Sequence, residues 1–222
     1  MKPIIIIGAG GHARVMLDAL LCSNREVTGL TDCDESKWGC LIDGVPILGG
    51  DEAVFLRGKD TIELVNGMGS IGSTEKRKAL FELFAHKGYA FSNVMHPSAI
   101  VSPHAILGTG VQLLPGSIVN AGACIGDDSI VNTRASIDHD VSIGRHVHIA
   151  PGVTISGGVA IGDCTHIGTG ATVIQGVHIG SNVIVGAGAV VVRDIPDNCK
   201  AYGVPAREVW GGYEVQGTMH KA

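Results

Sequence analysis

Aliphatic residues recur at every sixth position through the second half of the chain, from Val101 to Val191. A small or β-branched residue stands four positions after each of them as far as Val185, and glycine often follows the aliphatic residue directly, as at Leu107-Gly108. A unit this short cannot enclose a core alone, so the hexads are expected to wind into a solenoid with stacked aliphatic positions. Three hexads form one triangular coil, so the pattern predicts about five coils of short parallel strands joined by tight corners.

Residues 1–92 follow a different pattern, in which apolar strands alternate with amphipathic helices. Strands are predicted over 2–8, 26–31 and 61–66, and a helix is predicted over 12–21. A second helix is predicted from Ser73 or Thr74 to Gly88, with an inner face formed by Leu80, Leu83 and Phe84. This order favours a small Rossmann-like βαβ domain with a parallel sheet.

The two patterns divide the chain into three predicted parts. An α/β domain occupies residues 1–92, a parallel β-helix occupies 93–195, and a C-terminal tail occupies 196–222. The longest early apolar run, Ile4 to Ile7, is too short for a membrane span or a secretory signal, so the expected location is the cytoplasm. Six cysteines without C-x-x-C spacing are expected to be reduced thiols.

Charge narrows the choice of partners. The net charge of −5 gives no basic field for a nucleic acid or an anionic membrane, and neither is expected as a partner. Between residues 100 and 190 the only basic side chains are Arg134 and Arg145. Weakly charged β faces are association surfaces, so the solenoid is expected to be covered by neighbours in a homo-oligomer, for which threefold packing suits a triangular prism.

The loop after the first predicted strand reads Gly8-Ala9-Gly10-Gly11-His12-Ala13. Glycines between a strand and a helix allow backbone N–H groups to approach a phosphate at the helix N-terminus, and Asp32 at the end of the next strand is a candidate acceptor for a ribose or base. About ninety residues make only half of a dinucleotide fold, so a mononucleotide or nucleotide sugar is favoured. The alternative is a glycine turn that only packs the helix on the strand.

Six histidines lie in the solenoid, and none occupies an inward-facing column. His139 stands between Asp138 and Asp140, where a flanking carboxylate can hold one ring nitrogen protonated and leave the other as a base near neutral pH. The alternative is that these acids only solvate a corner. His148 and His166 are one coil apart and are expected to stack on the same face. The others are expected to be solvated surface residues: His104, His146 and His178.

Taken together, these features resemble a known family. The hexads, His139-Asp140, His96-Pro97-Ser98-Ala99 and the segment from Tyr202 to Arg207 are similar to those of bacterial sugar O- and N-acetyltransferases of the left-handed β-helix (hexapeptide-repeat) superfamily. The Gly8-to-His12 motif resembles that of a subgroup that includes enzymes acetylating the 4-amino group of nucleotide-linked sugars, of the bacillosamine and perosamine types, and sialic acid O-acetyltransferases. The resemblance implies a left-handed coil, a homotrimer, acetyl-CoA as donor and active sites between adjacent prisms.

The resemblance also implies roles for particular residues. It makes His139 the general base and Asp140 its acidic neighbour, and it places Asn132 on the acceptor sugar. The other implied contacts to the nucleotide-linked amino sugar are Gly10, Gly11, His12, Asp32, Lys37 and Gly67. The implied contacts to acetyl-CoA are His148, Gly157, Gly158, Ala206 and Arg207, with the tail contributing to CoA binding and no metal involved.

The function expected from these features is an acetyl-CoA-dependent N-acetyltransferase acting directly on a nucleotide-linked 4-amino-4,6-dideoxy sugar. A sugar or sialic acid O-acetyltransferase is the first alternative. A γ-type carbonic anhydrase-like enzyme is more remote and would bind zinc through His139, His148 and His166. A sensing or scaffold protein on an inactive solenoid is the non-catalytic alternative.

Overall fold

The computed structural model describes residues 1–209, and an α/β domain comes first in the chain. Its elements are β1 (Ile4–Ile7), α1 (Gly11–Cys22), β2 (Val27–Thr31), β3 (Leu41–Ile42), β4 (Val45–Pro46), α2 (Glu52–Phe55), β5 (Glu63–Asn66) and α3 (Glu75–His86). Strands β2, β1 and β5 form a parallel sheet in that order. The strands and the two long helices confirm the predicted βαβ domain.

The central strand β1 consists of four buried isoleucines because helices cover both faces of the sheet. Ile4 and Ile6 pack against the apolar face of α1, whereas Ile5 and Ile7 pack against Phe81 and Phe84 from the other side. Strands that are buried on both faces read as continuous apolar runs in this way.

One predicted helix face is partly wrong. The inner face of α3 carries Arg77, Phe81 and Phe84, whereas Leu83 is 46% exposed. The helix turns Arg77 inward because a buried carboxylate of the solenoid pairs with it, a constraint that hydrophobic periodicity does not contain.

Short strands follow the α/β domain and build the solenoid. In chain order they are β6 (Val94–Met95), β7 (Ile100–Val101), β8 (Ile106–Leu107), β9 (Gln112–Leu113), β10 (Ile118–Val119), β11 (Cys124–Ile125), β12 (Ile130–Val131), β13 (Ser136–Ile137), β14 (Ser142–Ile143), β15 (His148–Ile149), β16 (Thr154–Ile155), β17 (Ala160–Ile161), β18 (His166–Ile167), β19 (Thr172–Val173), β20 (His178–Ile179), β21 (Ile184–Val185), β22 (Val190–Val191), β23 (Lys200–Tyr202) and β24 (Arg207–Val209). From β6 to β22 every third strand pairs in parallel, which gives three walls; β23 then pairs in parallel with β21, and β24 pairs antiparallel with β23. Wall 1 runs from β7 to β22, wall 2 from β8 to β20, and wall 3 from β6 to β24.

The solenoid is longer than the five coils that the hexads predict. Val94–Met95 pairs with Gln112–Leu113 and so adds a strand before the first hexad. At the other end, Ile184 pairs with Lys200, sixteen residues later, so a coil shortened by two residues extends wall 3. The count of hexads misses the strands at both ends. Strand pairing needs only backbone register, whereas the count requires an aliphatic residue at every sixth position.

The aliphatic column forms the solenoid core, as predicted. Its members from Leu113 to Val191 are buried, and Val101 and Leu107 at the open end are partly buried. Glycine or another residue with positive φ stands at the corners; Asp128 and Asp140 are examples, with φ of 54° and 56°. Asp and Asn tolerate this left-handed conformation better than most residues, whereas Arg134, His146 and Cys164 adopt it at other corners.

The chain's own α/β domain covers part of wall 3. Arg77 of α3 pairs with Asp128 at 2.8 Å, with side chains only 1% and 0% exposed, and donates to the carbonyl oxygen of Asn66. Asp128 also lies 3.1 Å from His146 Nδ1, whose ring contacts the edge of Phe81. His146 is therefore buried, and its prediction as a solvated surface residue is wrong. The spacing of hexads shows which side chains face outward but not which outward face a second domain covers.

Residues 1–209 contain no helix with the length and hydrophobicity needed to cross a bilayer.

Candidate active site

A cavity of about 640 Å³ lies between the carboxyl edge of the N-terminal sheet and wall 3. This volume is in the range that holds a small-molecule ligand. The lining brings together most of the predicted sugar-nucleotide residues: Gly10, Gly11, His12, Asp32, Gly67 and Asn132. His148, predicted on the acetyl-CoA side, lines the same cavity.

The glycines that line the cavity are required for different reasons. A Cβ on Gly67 would lie 2.6 Å from Ile6 Cγ2 and 2.9 Å from Ala13 Cβ, so this glycine is required where β5 packs against β1 and α1. Gly10 and Gly11, by contrast, have no atom within 4 Å of a Cβ position and no positive φ. Neither packing nor backbone conformation requires glycine there, which leaves close approach of a ligand to the first turn of α1 as the physical reason for it.

Replacing Gly11 by alanine tests this reading. The added methyl group meets open space in the free protein and reduces the backbone freedom of the unfolded chain, so Tm should stay unchanged or rise. We expect KM for the sugar nucleotide to rise about tenfold, the cost of about 1.4 kcal/mol in binding. Steady-state kinetics with each substrate varied in turn measures this, and an unchanged KM would remove Gly11 from the ligand site.

His12 is neutral and half-buried, so it presents an acceptor and not a cation to the cavity. Its Nε2 lies 2.7 Å from Gln112 Oε1, while the Gln112 amide donates to the Asn66 carbonyl oxygen. The amide oxygen can only accept, which puts the His12 proton on Nε2 and leaves Nδ1 unprotonated. Burial, with the Arg77 charge as a smaller cause, lowers the His12 pKa to about 4. A phosphate at this loop would therefore rely on backbone N–H groups of α1.

Asp32 is held at the rim of the cavity by its own loop. Its Oδ1 accepts the Asp34 N–H at 2.9 Å, and its Oδ2 pairs with Lys37 Nζ at 2.9 Å. The Trp38 indole donates to the Asp32 carbonyl oxygen. Lys37 itself does not line the cavity, and its pKa is raised chiefly by the hydrogen bond to Asp32. Lys37 therefore acts on the cavity through the Asp32 carboxylate in this structure.

Asn132 and His148 form one hydrogen-bonded unit on the solenoid side of the cavity. Asn132 Nδ2 lies 3.0 Å from His148 Nε2, and His148 Nδ1 lies 3.0 Å from the Ser70 carbonyl oxygen. Since that carbonyl only accepts, Nδ1 carries the proton and Nε2 accepts from Asn132. Burial lowers the His148 pKa to about 3, with neighbouring His166, His12 and Arg77 as smaller causes. The neutral ring fixes the amide orientation of Asn132.

The predicted stacking of His148 and His166 is confirmed. The two residues pair directly in wall 3, and their ring centroids lie 4.9 Å apart in an edge-on arrangement. His139 is on a different edge of the prism, so the three histidines weighed as zinc ligands do not converge within this chain.

His139 lies at the corner between walls 1 and 2, outside the cavity. Its Nδ1 is 3.0 Å from Asp140 Oδ2, and the two side chains are 56% and 73% exposed. The carboxylate fixes the proton on Nδ1 and leaves Nε2 free to accept one. The hydrogen bond to Asp140 is the main cause of a raised His139 pKa, and the charge of Asp138 is the next.

Two glycines make room for this pair. A Cβ on Gly157, one coil above, would lie 2.6 Å from both Cε1 and Nε2 of His139. A Cβ on Gly122, one coil below, would meet the Asp140 carboxylate. The Gly157 N–H has no hydrogen-bond partner within residues 1–209, so it remains available to a ligand beside Nε2. Gly158, with φ of 66°, donates to the His139 carbonyl oxygen and shapes the corner.

The remaining predicted acetyl-CoA residues lie elsewhere. Ala206 and Arg207 line a second cavity of about 280 Å³ at the C-terminal end of the solenoid, with Arg193, Asp194 and Glu208. Of the predicted tail, residues 196–209 add the strands Lys200–Tyr202 and Arg207–Val209 to wall 3. Residues 210–222 lie outside the described part of the chain, so the CoA role of the tail stays a prediction.

The sequence analysis missed three residues that support the site. Ser70 anchors His148, Gln112 fixes the tautomer of His12, and Gly122 leaves space for Asp140. Gln112 could have been predicted from the sequence, because it stands two coils before His148 in the same outward column of wall 3. Ser70 could not have been predicted, because its partner His148 is 78 residues away and on another domain.

Comparison with known proteins identifies both parts of the chain. The PglD N-terminal domain matches residues 3–84, and the bacterial transferase hexapeptide family (six repeats) matches residues 122–157. A curated relative, UDP-N-acetylbacillosamine N-acetyltransferase from Bacillus subtilis, is 37% identical over 114 residues, 51% of this chain. That match spans about half (52%) of the curated relative's length.

Solved structures match over nearly the whole chain. A histidine-to-asparagine mutant of perosamine N-acetyltransferase from Caulobacter crescentus, in complex with CoA and GDP-perosamine, is 38% identical and superposes with a TM-score of 0.88 over 95% of this chain and 98% of that one. The acetyltransferase domain of PglB from Neisseria gonorrhoeae, in complex with acetyl coenzyme A, is 34% identical with a TM-score of 0.86 over 94% and 99%. The chain therefore belongs to the bacterial hexapeptide-repeat acetyltransferases that carry a PglD-type N-terminal domain.

Proposed function

We propose that this protein transfers the acetyl group of acetyl-CoA to the amino group of a nucleotide-linked 4-amino-4,6-dideoxy sugar. The observation that carries the proposal is the corner at His139, where Asp140 holds Nδ1 and Nε2 is free directly below Gly157. Support comes from the relatives, one crystallised with CoA and GDP-perosamine and one with acetyl coenzyme A. All three relatives compared are acetyltransferases, which favours acetyl transfer over the zinc-enzyme and scaffold alternatives.

The reaction follows from the groups at the corner. The sugar amine, once neutral, attacks the thioester carbonyl carbon while His139 Nε2 accepts the amine proton. Asp140 stabilises the imidazolium, and the Gly157 N–H donates to the oxyanion of the tetrahedral intermediate. The intermediate expels CoA as thiolate, which takes up the proton, so the products are the acetamido sugar and free CoA thiol. Both substrates bind together, so no cysteine is needed as an acyl carrier.

The cavity serves the nucleotide end of the acceptor in this proposal. The first turn of α1 binds the phosphates, Asp32 accepts from the nucleoside, and Asn132 contacts the sugar. His148, placed near the thioester by the family resemblance, here orients Asn132 from within the same cavity.

A homotrimer is part of the proposal, because one chain keeps the two halves of the site apart. Asn132 lies between walls 3 and 1, whereas His139 lies between walls 1 and 2. Threefold packing of prisms can bring the His139 edge of one protomer to the Asn132 edge of the next. The active site would then be shared between two copies of the chain.

Mixed trimers test this arrangement. We expect His139→Ala and Gly11→Phe proteins to be inactive alone, since one lacks the base and the other fills the cavity. If each site combines two chains, co-refolded or co-expressed trimers recover about a quarter of the wild-type turnover, because one interface in four then has both halves intact. If each site lies within one chain, no mixture regains activity.

The substrate is tested by following free thiol release from acetyl-CoA with a panel of UDP-, GDP- and dTDP-linked amino sugars and their hydroxyl analogues. We expect the highest kcat/KM with a 4-amino sugar. Higher values with hydroxyl acceptors would favour the O-acetyltransferase. Absence of thiol release across the panel would favour a sensing role.

A further inference from the structure

Asp138 lies beside the catalytic pair on the same corner, and one oxygen of its carboxylate accepts two hydrogen bonds. Its Oδ1 accepts the backbone N–H of His139 at 2.7 Å. The same oxygen accepts Asn120 Nδ2 at 3.1 Å, and Asn120 stands one coil below, in the corresponding position of its own corner. These two hydrogen bonds fix the carboxylate next to the residue that bears the imidazole.

We propose that Asp138, held by Asn120 from the coil below, is a positioning residue that fixes the backbone at His139 and supplies a second negative charge for its imidazolium. This inference rests on the proposed function. It gives the corner two carboxylates with separate tasks: Asp140 bonds the ring nitrogen, whereas Asp138 bonds the main chain. Asp138 touches neither substrate nor the reacting atoms in this scheme.

The geometry explains why a second residue is needed. Asp140 has a φ of 56°, so the chain turns sharply directly after His139. The side chain is more than half exposed, and the absence of a Cβ on Gly157 leaves the space that the ring occupies. An exposed side chain with few packing contacts needs hydrogen bonds to define its position, and a displacement of 1 Å in a catalytic group costs about 100-fold in rate.

The electrostatic surroundings of the ring are simple. The coil below contributes Asn120, Ala121 and Gly122 to this edge, and the coil above contributes Ser156 and Gly157. None of these side chains titrates, so Asp138 and Asp140 are the carboxylates of residues 1–209 that raise the His139 pKa, while desolvation opposes them. Removing the Asp138 charge should therefore lower that pKa and weaken the base.

The test separates charge from position. Asp138→Asn keeps an oxygen for the His139 N–H and removes the charge, whereas Asn120→Ala keeps the charge and removes the support. For Asp138→Asn we expect the NMR titration of His139 to move to lower pH, the ascending limb of kcat against pH to move with it, and kcat to fall about tenfold. For Asn120→Ala we expect a fall in kcat with a smaller displacement of the titration.

Asp163→Asn is the matched control. Asp163 also accepts a backbone N–H at a solenoid corner, that of Arg145 at 2.7 Å, but on the edge between walls 2 and 3. It should change neither the titration of His139 nor kcat. A His139 titration at the wild-type pH in Asp138→Asn would overturn the charge role, and a wild-type kcat in Asn120→Ala would overturn the positioning role.

The titration also distinguishes this inference from the proposed function. NMR reports the His139 protonation state without any substrate. If the wild-type protein acetylates no sugar in the panel, the proposed function is wrong. The titration still decides whether Asp138 affects the imidazole.

Discussion

Replacing His139 by alanine is expected to lower kcat by about 10² to 10⁴, the usual contribution of a general base. The Nε2 of His139 is the free basic nitrogen beside Gly157, and Asp140 holds the other ring nitrogen. Without the ring, the amine must lose its proton to water during attack. The side chain is more than half exposed, so the variant should fold with an unchanged Tm. Thiol release under saturating substrates measures the loss.

The pH dependence provides a second readout of the same variant. Asp140 and Asp138 raise the His139 pKa, and a base acts only when deprotonated. In the wild-type protein kcat should therefore rise with pH through a midpoint above the ordinary histidine value of about 6.5. The His139→Ala variant should lose this ascending limb, while acetyl-CoA binding by calorimetry changes little.

His86→Ala is the matched control, since His86 is an exposed histidine at the C-terminal end of α3 and does not line the cavity. It should leave kcat and its pH profile unchanged. Turnover of His139→Ala near the wild-type rate would remove His139 from the mechanism.

Replacing Gly157 by alanine is expected to lower kcat by about 100-fold through displacement of the His139 ring. The new methyl group would lie 2.6 Å from Cε1 and Nε2, a distance that real side chains do not tolerate. The ring is exposed and can rotate away, so the clash is relieved at little cost in stability. The backbone N–H of residue 157 is retained, so the loss reports the base and not the oxyanion donor.

A double-mutant cycle checks this cause. If Gly157→Ala acts only through the imidazole, adding it to His139→Ala should lower kcat no further. Additive losses would instead show that the methyl group blocks a substrate directly. Crystals of Gly157→Ala with His139 in its original position and a 100-fold loss would also contradict the steric explanation.

Much of the fold could be predicted from local sequence features. The sixfold aliphatic column predicted a triangular solenoid because each strand contributes the same inward position, and the alternation of apolar runs and helices predicted the α/β domain. The His139-Asp140 pair was also predictable, since neighbours in sequence at a corner are neighbours in space. Gly10 and Gly11 could be predicted to line a ligand site, because a glycine loop between a strand and a helix is typical of phosphate-binding sites.

Other features depend on residues that are far apart in the chain. Leu83 and His146 were placed on the wrong side, because Arg77 reaches across from α3 to Asp128 and the α/β domain covers that face of the solenoid. The tautomers of His12 and His148 follow from Gln112 and Ser70, which no spacing rule connects to them. Periodicity reports one element at a time, whereas burial of a polar group depends on its partner in another element.

The sequence by itself determined the solenoid, the glycine loop before α1 and the pairing of His139 with Asp140, because each is encoded in residues close together or in strict register. Only the tertiary structure decided which wall the α/β domain covers, that Asn132 and His148 join its cavity, and that His139 lies on another edge. These are contacts across 46 to 78 residues, such as Gln112 with Asn66 and His148 with Ser70, and their energies depend on burial that exists only after the domains have docked.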